Sequence, residues 1–210
     1  MIGDCVSAPL WPRETFDVLR DLSAPTVRGN HDRWLTEPAR VAASPTVSFA
    51  AEQLSAEART SLSTLPVTLS LHDDILAMHG TPASDTDYLL EESVNERLCL
   101  VQTATLDVRV GNATERLILC GHSHQQNATC ASGGRLVVNP GAVGAPRYAG
   151  NAAPSLNEAG SPHARYAIVT RADGKWSVEL FVLDYDFAVV EARARSLGRN
   201  DWANAFMKGM

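Results

Sequence analysis

Val27-Arg28-Gly29-Asn30-His31-Asp32-Arg33 is the stretch around which this sequence is organised. An apolar residue leads into a glycine, which permits a sharp turn, and three polar side chains follow at once. Asn30 and His31 can coordinate a metal or form hydrogen bonds, and Asp32 can fix the tautomer and orientation of a neighbouring imidazole. The pattern is typical of a loop at the end of a strand. Taken alone, the stretch is equally consistent with a solvated turn.

Three further stretches repeat this pattern, in which a short apolar run stops at small and polar residues. They are Ile75–Met78 before His79-Gly80, residues 117–120 before Gly121-His122-Ser123-His124, and residues 136–138 before Asn139-Pro140-Gly141. Short apolar runs bounded by turn residues predict buried strands. In α/β sheets, a rigid strand end positions side chains that the following loop leaves exposed. We therefore expect these residues to gather in one small volume beside a sheet.

Composition and length are those of an ordinary globular protein. The 210 residues are 45% hydrophobic and 20% charged, which favours one domain over residues 1–210. The net charge of −6 does not indicate nucleic-acid binding, because such surfaces are usually basic. Four cysteines without paired spacing predict mostly buried thiols in a reducing compartment. With no signal-peptide pattern and no membrane-spanning run, we expect a cytoplasmic protein without a membrane partner.

Periodicity and capping residues predict the remaining elements. Predicted helices cover residues 12–22, 56–62, 88–103 and 187–196, with Ser55 and Asp186 as caps of the second and fourth. Predicted strands cover residues 26–28, 67–71, 165–170 and 175–185, the last two as a hairpin around Asp173-Gly174. Residues 37–48 and 144–160 are rich in small residues and proline, and they predict irregular connections.

Six side chains are candidate metal ligands by chemical type. They are Asp4, Asn30, His31, His79, His122 and His124. A catalytic divalent ion needs three or four fixed nitrogen or oxygen ligands and an open position for water, and this donor mixture suits manganese, iron, zinc or nickel. A carboxylate can also bridge two ions about 3.5 to 4 Å apart.

Taken together and in order, these motifs resemble those of the calcineurin-like metallophosphoesterases. The matching motifs are Gly3-Asp4, Gly29-Asn30-His31-Asp32, His79-Gly80 and Gly121-His122-Ser123-His124. The run Asn139-Pro140-Gly141-Ala142-Val143-Gly144, followed by Pro146-Arg147, resembles the small bacterial and archaeal phosphodiesterase branch of that superfamily. The resemblance implies an α/β fold, namely a metallophosphoesterase-type β-sandwich of mixed sheets flanked by helices.

The resemblance also implies roles for individual residues. Asp4 would be the carboxylate that bridges two metal ions. Asn30, His79 and His122 would complete the site of one ion, and His124 would bind the other. His31 would be the general acid at the leaving-group oxygen, with Asp32 orienting it, and Arg33 or Arg147 would contact the phosphate of a small phosphorylated substrate.

The implied reaction is hydrolysis of a phosphodiester by a hydroxide that bridges two divalent ions, with Mn²⁺ favoured and iron, zinc or nickel as alternatives. Two other functions stay open: a phosphomonoesterase or protein phosphatase, and a catalytically weak phosphate-binding protein. The second arises because the family's first motif, an Asp and a His one residue apart, is not in this sequence. We expect that a first βα unit of roughly 25 to 35 residues is missing before Met1, which would leave the second metal with only Asp4 and His124.

Overall fold

The computed structural model of the chain describes residues 1–7, 10–149 and 156–209. The helices are α1 (Pro12–Leu22), α2 (Asn30–Trp34), α3 (Pro38–Ala43), α4 (Pro45–Gln53), α5 (Ala56–Ser63), α6 (Thr103–Val110), α7 (Phe187–Ser196) and α8 (Asn200–Lys208). The strands are β1 (Thr68–Leu71), β2 (Ile75–Met78), β3 (Glu91–Val94), β4 (Arg97–Leu100), β5 (Leu117–Leu119), β6 (Asn127–Ala131), β7 (Arg135–Asn139), β8 (Arg147–Ala149), β9 (Leu156–Glu158), β10 (Ala164–Ala172) and β11 (Lys175–Leu183). Within the described ranges, no helix combines the length and apolar character that crossing a bilayer requires.

A five-stranded sheet in the order β1-β2-β5-β7-β6 forms the centre of the fold. Strands β2, β5 and β7 run parallel to one another, and β1 and β6 pair antiparallel at the two edges. Because the carboxyl ends of parallel strands lie at one edge, the residues that follow β2, β5 and β7 meet there. The other sheets are β3-β4-β9-β8 and the hairpin β10-β11. The predicted mixed α/β fold with flanking helices is confirmed.

Two apolar clusters fix the elements that carry the polar loops. In the first, Met78 and Ile118 of the central sheet pack with Leu106 and Val110 of α6. The second joins Trp34 and its neighbour Leu35 to the helices α4 and α5, through a set of buried residues that includes Val47, Ala50, Ala58 and Leu62. This second cluster anchors α2 and therefore the segment that begins at Asn30.

The helix predicted over residues 88–103 is wrong. The chain forms the hairpin β3-β4 there, and α6 follows from Thr103 to Val110. Asn95 and Glu96, between the strands, both have positive φ, at 50° and 64°. Positive φ at both central residues of a two-residue loop is the geometry that matches the twist of paired strands, so the turn directs the chain into a hairpin.

Other predictions of local structure were also wrong. Residues 37–48, predicted to be irregular, contain α3 and the start of α4, because Pro38 and Pro45 occupy first-turn positions, where proline starts a helix. Residues 26–28 do not form a strand of the described sheets. Val27 donates from its backbone to Met1, and Arg28 donates to Pro66. The sequence pattern also missed β6, β8, β9 and α8.

The cysteine side chains are less buried than their spacing in the sequence suggested. Cys120 is buried and Cys5 is half-buried, whereas Cys99 and Cys130 are exposed, and all four are free thiols. Cys99 and Cys130 lie on β4 and β6 at positions that face away from the apolar clusters, which explains their exposure.

Candidate metal centre

Asp32 fixes the two loops from which the site is built. It is fully buried, and its carboxylate accepts hydrogen bonds from the backbone N–H groups of Asp4, Cys5 and Gly29 at 2.8, 2.9 and 2.9 Å. Both oxygens of Asp32 hold backbone, and no hydrogen bond among the described residues joins Asp32 to the His31 ring, so its role in orienting His31 stays a prediction. Asp4 itself has a φ of 53°, a left-handed conformation that is costly for a non-glycine residue and that these bonds support.

The side chains of Asp4, Asn30 and His79 converge at the edge of the central sheet. The Nδ1 of His79 donates to the carbonyl of Ile2 at 2.6 Å. A neutral His79 then carries its lone pair on Nε2, which lies 3.2 Å from Asp4 Oδ2 and 3.1 Å from Asn30 Oδ1. Three atoms that bear lone pairs need a positive charge between them, so this donor set fits a divalent cation.

His122 completes the candidate site. Ligand atoms of Asp4, His79 and His122 all lie within 4.8 Å of one another. His122 has a φ of 64°, so the loop after β5 bends sharply enough to turn this side chain inward. The ring of His122 donates from Nε2 to the carbonyl of Thr86 at 3.0 Å. That bond leaves the lone pair of the neutral ring on Nδ1.

The electrostatics of the site favour metal binding. Burial alone would raise the pKa of Asp4, but His79 and His31 hold that pKa well below its ordinary value. Burial lowers the pKa of His79, yet the Asp4 carboxylate outweighs this effect and raises the pKa to about 9. Burial lowers the pKa of both His122 and His124 to about 4. At neutral pH the metal-free chain therefore offers the Asp4 carboxylate and the neutral imidazoles of His122 and His124, whereas His79 keeps a proton that a bound cation would displace.

His124 belongs to the same loop but not to the three-residue cluster. It has a φ of 58°, and its Nδ1 donates to the carbonyl of Ala145 at 2.7 Å. Its ring lies near enough to Asp4 for the carboxylate to act on its pKa, in opposition to burial. The bend at Gly121-His122-Ser123-His124 thus turns both histidines toward Asp4.

His31 lies beside these residues and is held by its backbone and its ring. Its N–H donates to Asp4 Oδ1 at 2.9 Å, and its ring lies 4.6 Å from the Trp34 ring. The Nδ1 of His31 is buried and has no hydrogen-bond partner within the described ranges. Burial lowers the pKa of His31, with Asp4 acting in the opposite direction, so the protonated ring is a stronger proton donor than a free histidine.

A large cavity opens over the site. Its volume is about 1810 Å³, and its wall includes Asp4, His31, His79, His122 and His124. Trp34 and residues of α8, including Trp202 and Phe206, also line the cavity.

Comparison with known protein families identifies the chain. Residues 1–156 match the model of the calcineurin-like phosphoesterase superfamily domain. The chain belongs to this superfamily, whose members are metal-dependent phosphoesterases. No curated protein sequence matches the chain.

Two solved structures share the fold of this calcineurin-like phosphoesterase. One is a metallophosphoesterase from Sphaerobacter thermophilus, with 23% identity, a TM-score of 0.71, and coverage of 100% of this chain and 87% of the other. The second is a hypothetical protein from Pyrococcus horikoshii, with 17% identity, a TM-score of 0.75, and coverage of 100% and 84%.

Arg33 of this phosphoesterase is bound by two carboxylates, and its contact with the phosphate stays a prediction. Its guanidinium donates from Nε and Nη2 to the two carboxylate oxygens of Asp85, both at 2.8 Å, and from Nη1 to Glu37 at 2.6 Å. All of its nitrogens are therefore engaged with carboxylates. The other candidate, Arg147, lies in β8, and its side chain lies outside the described part of the structure.

Sequence reasoning missed several residues on which the site of this phosphoesterase depends. Asn139 is fully buried and donates from Nδ2 to the carbonyl of Gly121 and to Ser123 Oγ, both at 2.9 Å. It thereby fastens the loop that carries the two histidines to the end of β7. The sequence placed Asn139 after an apolar run near the site, but it did not indicate that this residue holds the loop after β5. A polar residue at the end of an apolar strand was the available signal, because such a residue must find partners once it is buried.

Proposed function

We propose that this metal-dependent phosphoesterase hydrolyses phosphodiesters. The observation that carries the proposal is the convergence of Asp4, Asn30, His79 and His122 beside His31 in the wall of a large cavity. Asp4, Asn30, His79 and His122 would hold one divalent ion, and Asp4 with His124 would hold a second. When bound, such ions supply an activated water molecule and neutralise charge on the phosphoryl oxygens.

The proton transfer and the positioning of the acid would fall to residues of the chain. His31 would donate a proton from Nε2 to the leaving-group oxygen, since its Nδ1 is enclosed in the protein. The contact with the Trp34 ring and the bond from its backbone to Asp4 would keep the imidazole at the edge of the site. Asp4 would therefore couple the metal site to the acid, because its Oδ1 binds the backbone of His31 while its Oδ2 faces His79.

The size of the cavity favours a diester over a monoester. A phosphodiester carries an organic group on either side of the phosphorus, and about 1810 Å³ of space adjoins the ligand residues. The run from Asn139 to Gly144, which resembles the phosphodiesterase branch, supports the same choice. Manganese is the ion that we expect, and a small phosphorylated compound in the cytoplasm is the expected substrate.

The test compares bis(p-nitrophenyl) phosphate with p-nitrophenyl phosphate in the presence of Mn²⁺. We expect faster turnover of the diester. His79→Ala should lose both bound Mn²⁺ and activity, whereas His31→Ala should keep its Mn²⁺ and lose turnover by about 10² to 10⁴. His72→Asn is the matched control, because His72 is exposed and its positive φ suits asparagine.

Three outcomes would contradict parts of this proposal. Faster turnover of the monoester would identify a phosphomonoesterase. Bound Mn²⁺ without turnover of either ester would indicate a phosphate-binding protein with weak catalysis. Loss of Mn²⁺ in His31→Ala would show that His31 is a ligand and not the acid.

A further inference from the structure

The loop after β2, residues 80–88, packs tightly against the strand end that carries His79. Thr81 donates from its backbone to the carbonyl of Ser84 at 2.8 Å, and Ser84 donates back at 3.3 Å. A Cβ atom at Gly80 would lie only 2.5 Å from the carbonyl oxygen of Ser84 and 2.7 Å from that of Asp87. The loop therefore folds back on Gly80 so closely that only glycine fits there.

A bidentate ion pair fastens this loop to α2. The two bonds of 2.8 Å between the Arg33 guanidinium and the Asp85 carboxylate have the parallel arrangement that gives such pairs their directional specificity. The Asp85 side chain is only 10% exposed, and the guanidinium of Arg28 lies 3.9 Å from it. Because the carboxylate side of the pair is mostly shielded from water, the pair holds the position of the loop more firmly than a fully exposed salt bridge would.

The same loop contacts His122 at two points. The Thr86 carbonyl, next to Asp85 in the chain, accepts the hydrogen bond from His122 Nε2 at 3.0 Å. The Tyr88 ring lies 5.0 Å from the His122 ring, with 30° between their planes. The position of the loop thus determines which nitrogen of His122 carries the proton and where the ring points.

We propose that Arg33 is a positioning residue for His122 and acts through Asp85 and Thr86. Its guanidinium fixes Asp85, Asp85 fixes the path of the loop, and the Thr86 carbonyl fixes the tautomer and rotamer of the ring. The consequence for metal affinity rests on the function proposed above. The consequence for the tautomer of His122 does not.

The test uses Arg33→Ala, Asp85→Ala and the double variant in the full chain. Glu37→Ala is the matched control, because Glu37 binds the same guanidinium at 2.6 Å but is not part of the loop. The first measurement is ¹⁵N NMR of histidine-labelled, metal-free protein, with the His122 signals assigned by loss in His122→Asn. We expect the protonated Nε2 of His122 in the wild type and in Glu37→Ala, and a mixture of tautomers in the other variants.

The second measurement is calorimetric titration with Mn²⁺. Arg33→Ala and Asp85→Ala should each weaken binding by about 10- to 100-fold, the range found when a partner of a metal-ligating histidine is removed. The double variant should lose no more than either single variant, because both remove one shared interaction. Glu37→Ala should stay within about twofold of the wild type. Once Mn²⁺ is saturating, the KM for the diester should be unchanged in every variant.

Several results would overturn the proposal. An unchanged His122 tautomer with intact Mn²⁺ affinity and a raised KM in Arg33→Ala would show that Arg33 contacts the phosphate. Independent, additive losses in the two single variants would show that Arg33 does not act through Asp85. If the wild type binds no Mn²⁺, the proposed function fails, while the tautomer measurement still decides the role of Arg33. Should Arg33→Ala not fold, Asp85→Asn, which keeps an acceptor but weakens the bidentate pair, decides the same question.

Discussion

Replacing Glu91 with glutamine should make the protein more stable at neutral and alkaline pH. Glu91 begins β3 and is only 2% exposed, and both oxygens of its carboxyl group are buried with little hydrogen bonding beyond an interaction with Ser123. Burial raises the pKa of this group from 4.5 to about 7, against the opposing influence of Ser123 and Arg109. A buried carboxylate without partners is costly, whereas the neutral acid or an amide of the same shape is much less so.

The sign and size of the effect follow from this pKa. Between pH 4.5 and about 7, the folded protein binds a proton at Glu91 that the unfolded chain has released. The free energy of unfolding therefore falls as pH rises through this window. A rise from 4.5 to about 7 corresponds to about 3 kcal/mol, at roughly 1.4 kcal/mol for each pKa unit. Glu91→Gln removes the titration and should gain this amount relative to the wild type above pH 7.

Urea denaturation at a series of pH values from 4 to 8.5, in metal-free buffer, measures the effect. The control is Glu92→Gln, because Glu92 is the next residue of the same strand but is exposed. The difference between Glu91→Gln and the wild type should be below about 1 kcal/mol at pH 4 and should grow to about 3 kcal/mol above pH 7. A difference that does not vary with pH, or one that Glu92→Gln reproduces, would refute the reasoning.

Three further predictions concern the site. Asn139→Ala should lower the free energy of unfolding in urea by about 1 to 3 kcal/mol and weaken Mn²⁺ binding, because it leaves buried partners in the Gly121 loop unpaired. Unchanged Mn²⁺ affinity would contradict the role of Asn139 in holding that loop. Trp34→Ala should lose about 3 to 5 kcal/mol of stability and lower turnover, whereas Trp34→Phe should keep most of the activity because a ring still contacts His31. Equal turnover in the two variants would contradict this. Mn²⁺ binding at pH 7 should release about one proton per chain and strengthen about tenfold per pH unit up to pH 9, because the metal displaces the proton of His79, whose pKa is raised to about 9. Calorimetry in buffers of different ionisation enthalpy measures the release, and its absence would show that His79 is already neutral.

The three parallel strands of the central sheet were predictable because they are nearly continuous apolar runs that stop at ligand-type residues. Ile75–Met78 and Leu117–Leu119 lie where the sequence placed strands, and the hairpin β10-β11 was also expected. The hairpin β3-β4 was not predicted, since its only local signal is a pair of residues, Asn95 and Glu96, that adopt positive φ in the folded chain. Asn95 tolerates that conformation, but Glu96 gives no such indication.

The candidate ligands were predictable by type and order, but not the residues that hold them in place. Asp32 and Arg33 were assigned to chemistry because they follow His31 in the motif, and the structure shows that both also hold other segments of the chain in place. Their partners, the backbone of Asp4 and Cys5 and the carboxylate of Asp85, lie 28, 27 and 52 positions away in the sequence. Contacts between residues so far apart in the sequence depend on the completed fold, and no local sequence pattern predicts them.

Three histidines of the site each donate a hydrogen bond from the ring to a backbone carbonyl. His79 donates to the carbonyl of Ile2, His122 to that of Thr86, and His124 to that of Ala145. Each carbonyl belongs to a different loop, so the orientations of the rings depend on the backbone paths of three separate segments. The side chain of the residue that supplies the carbonyl is not part of the bond, so it can vary as long as the backbone path is preserved. A substitution at Thr86 or Ala145 should therefore have little effect on metal binding. A substitution that moves the loop, as at Asp85 or Gly80, should disturb the metal site. For this reason, the residues that govern the site most strongly after its ligands are the ones that shape its loops.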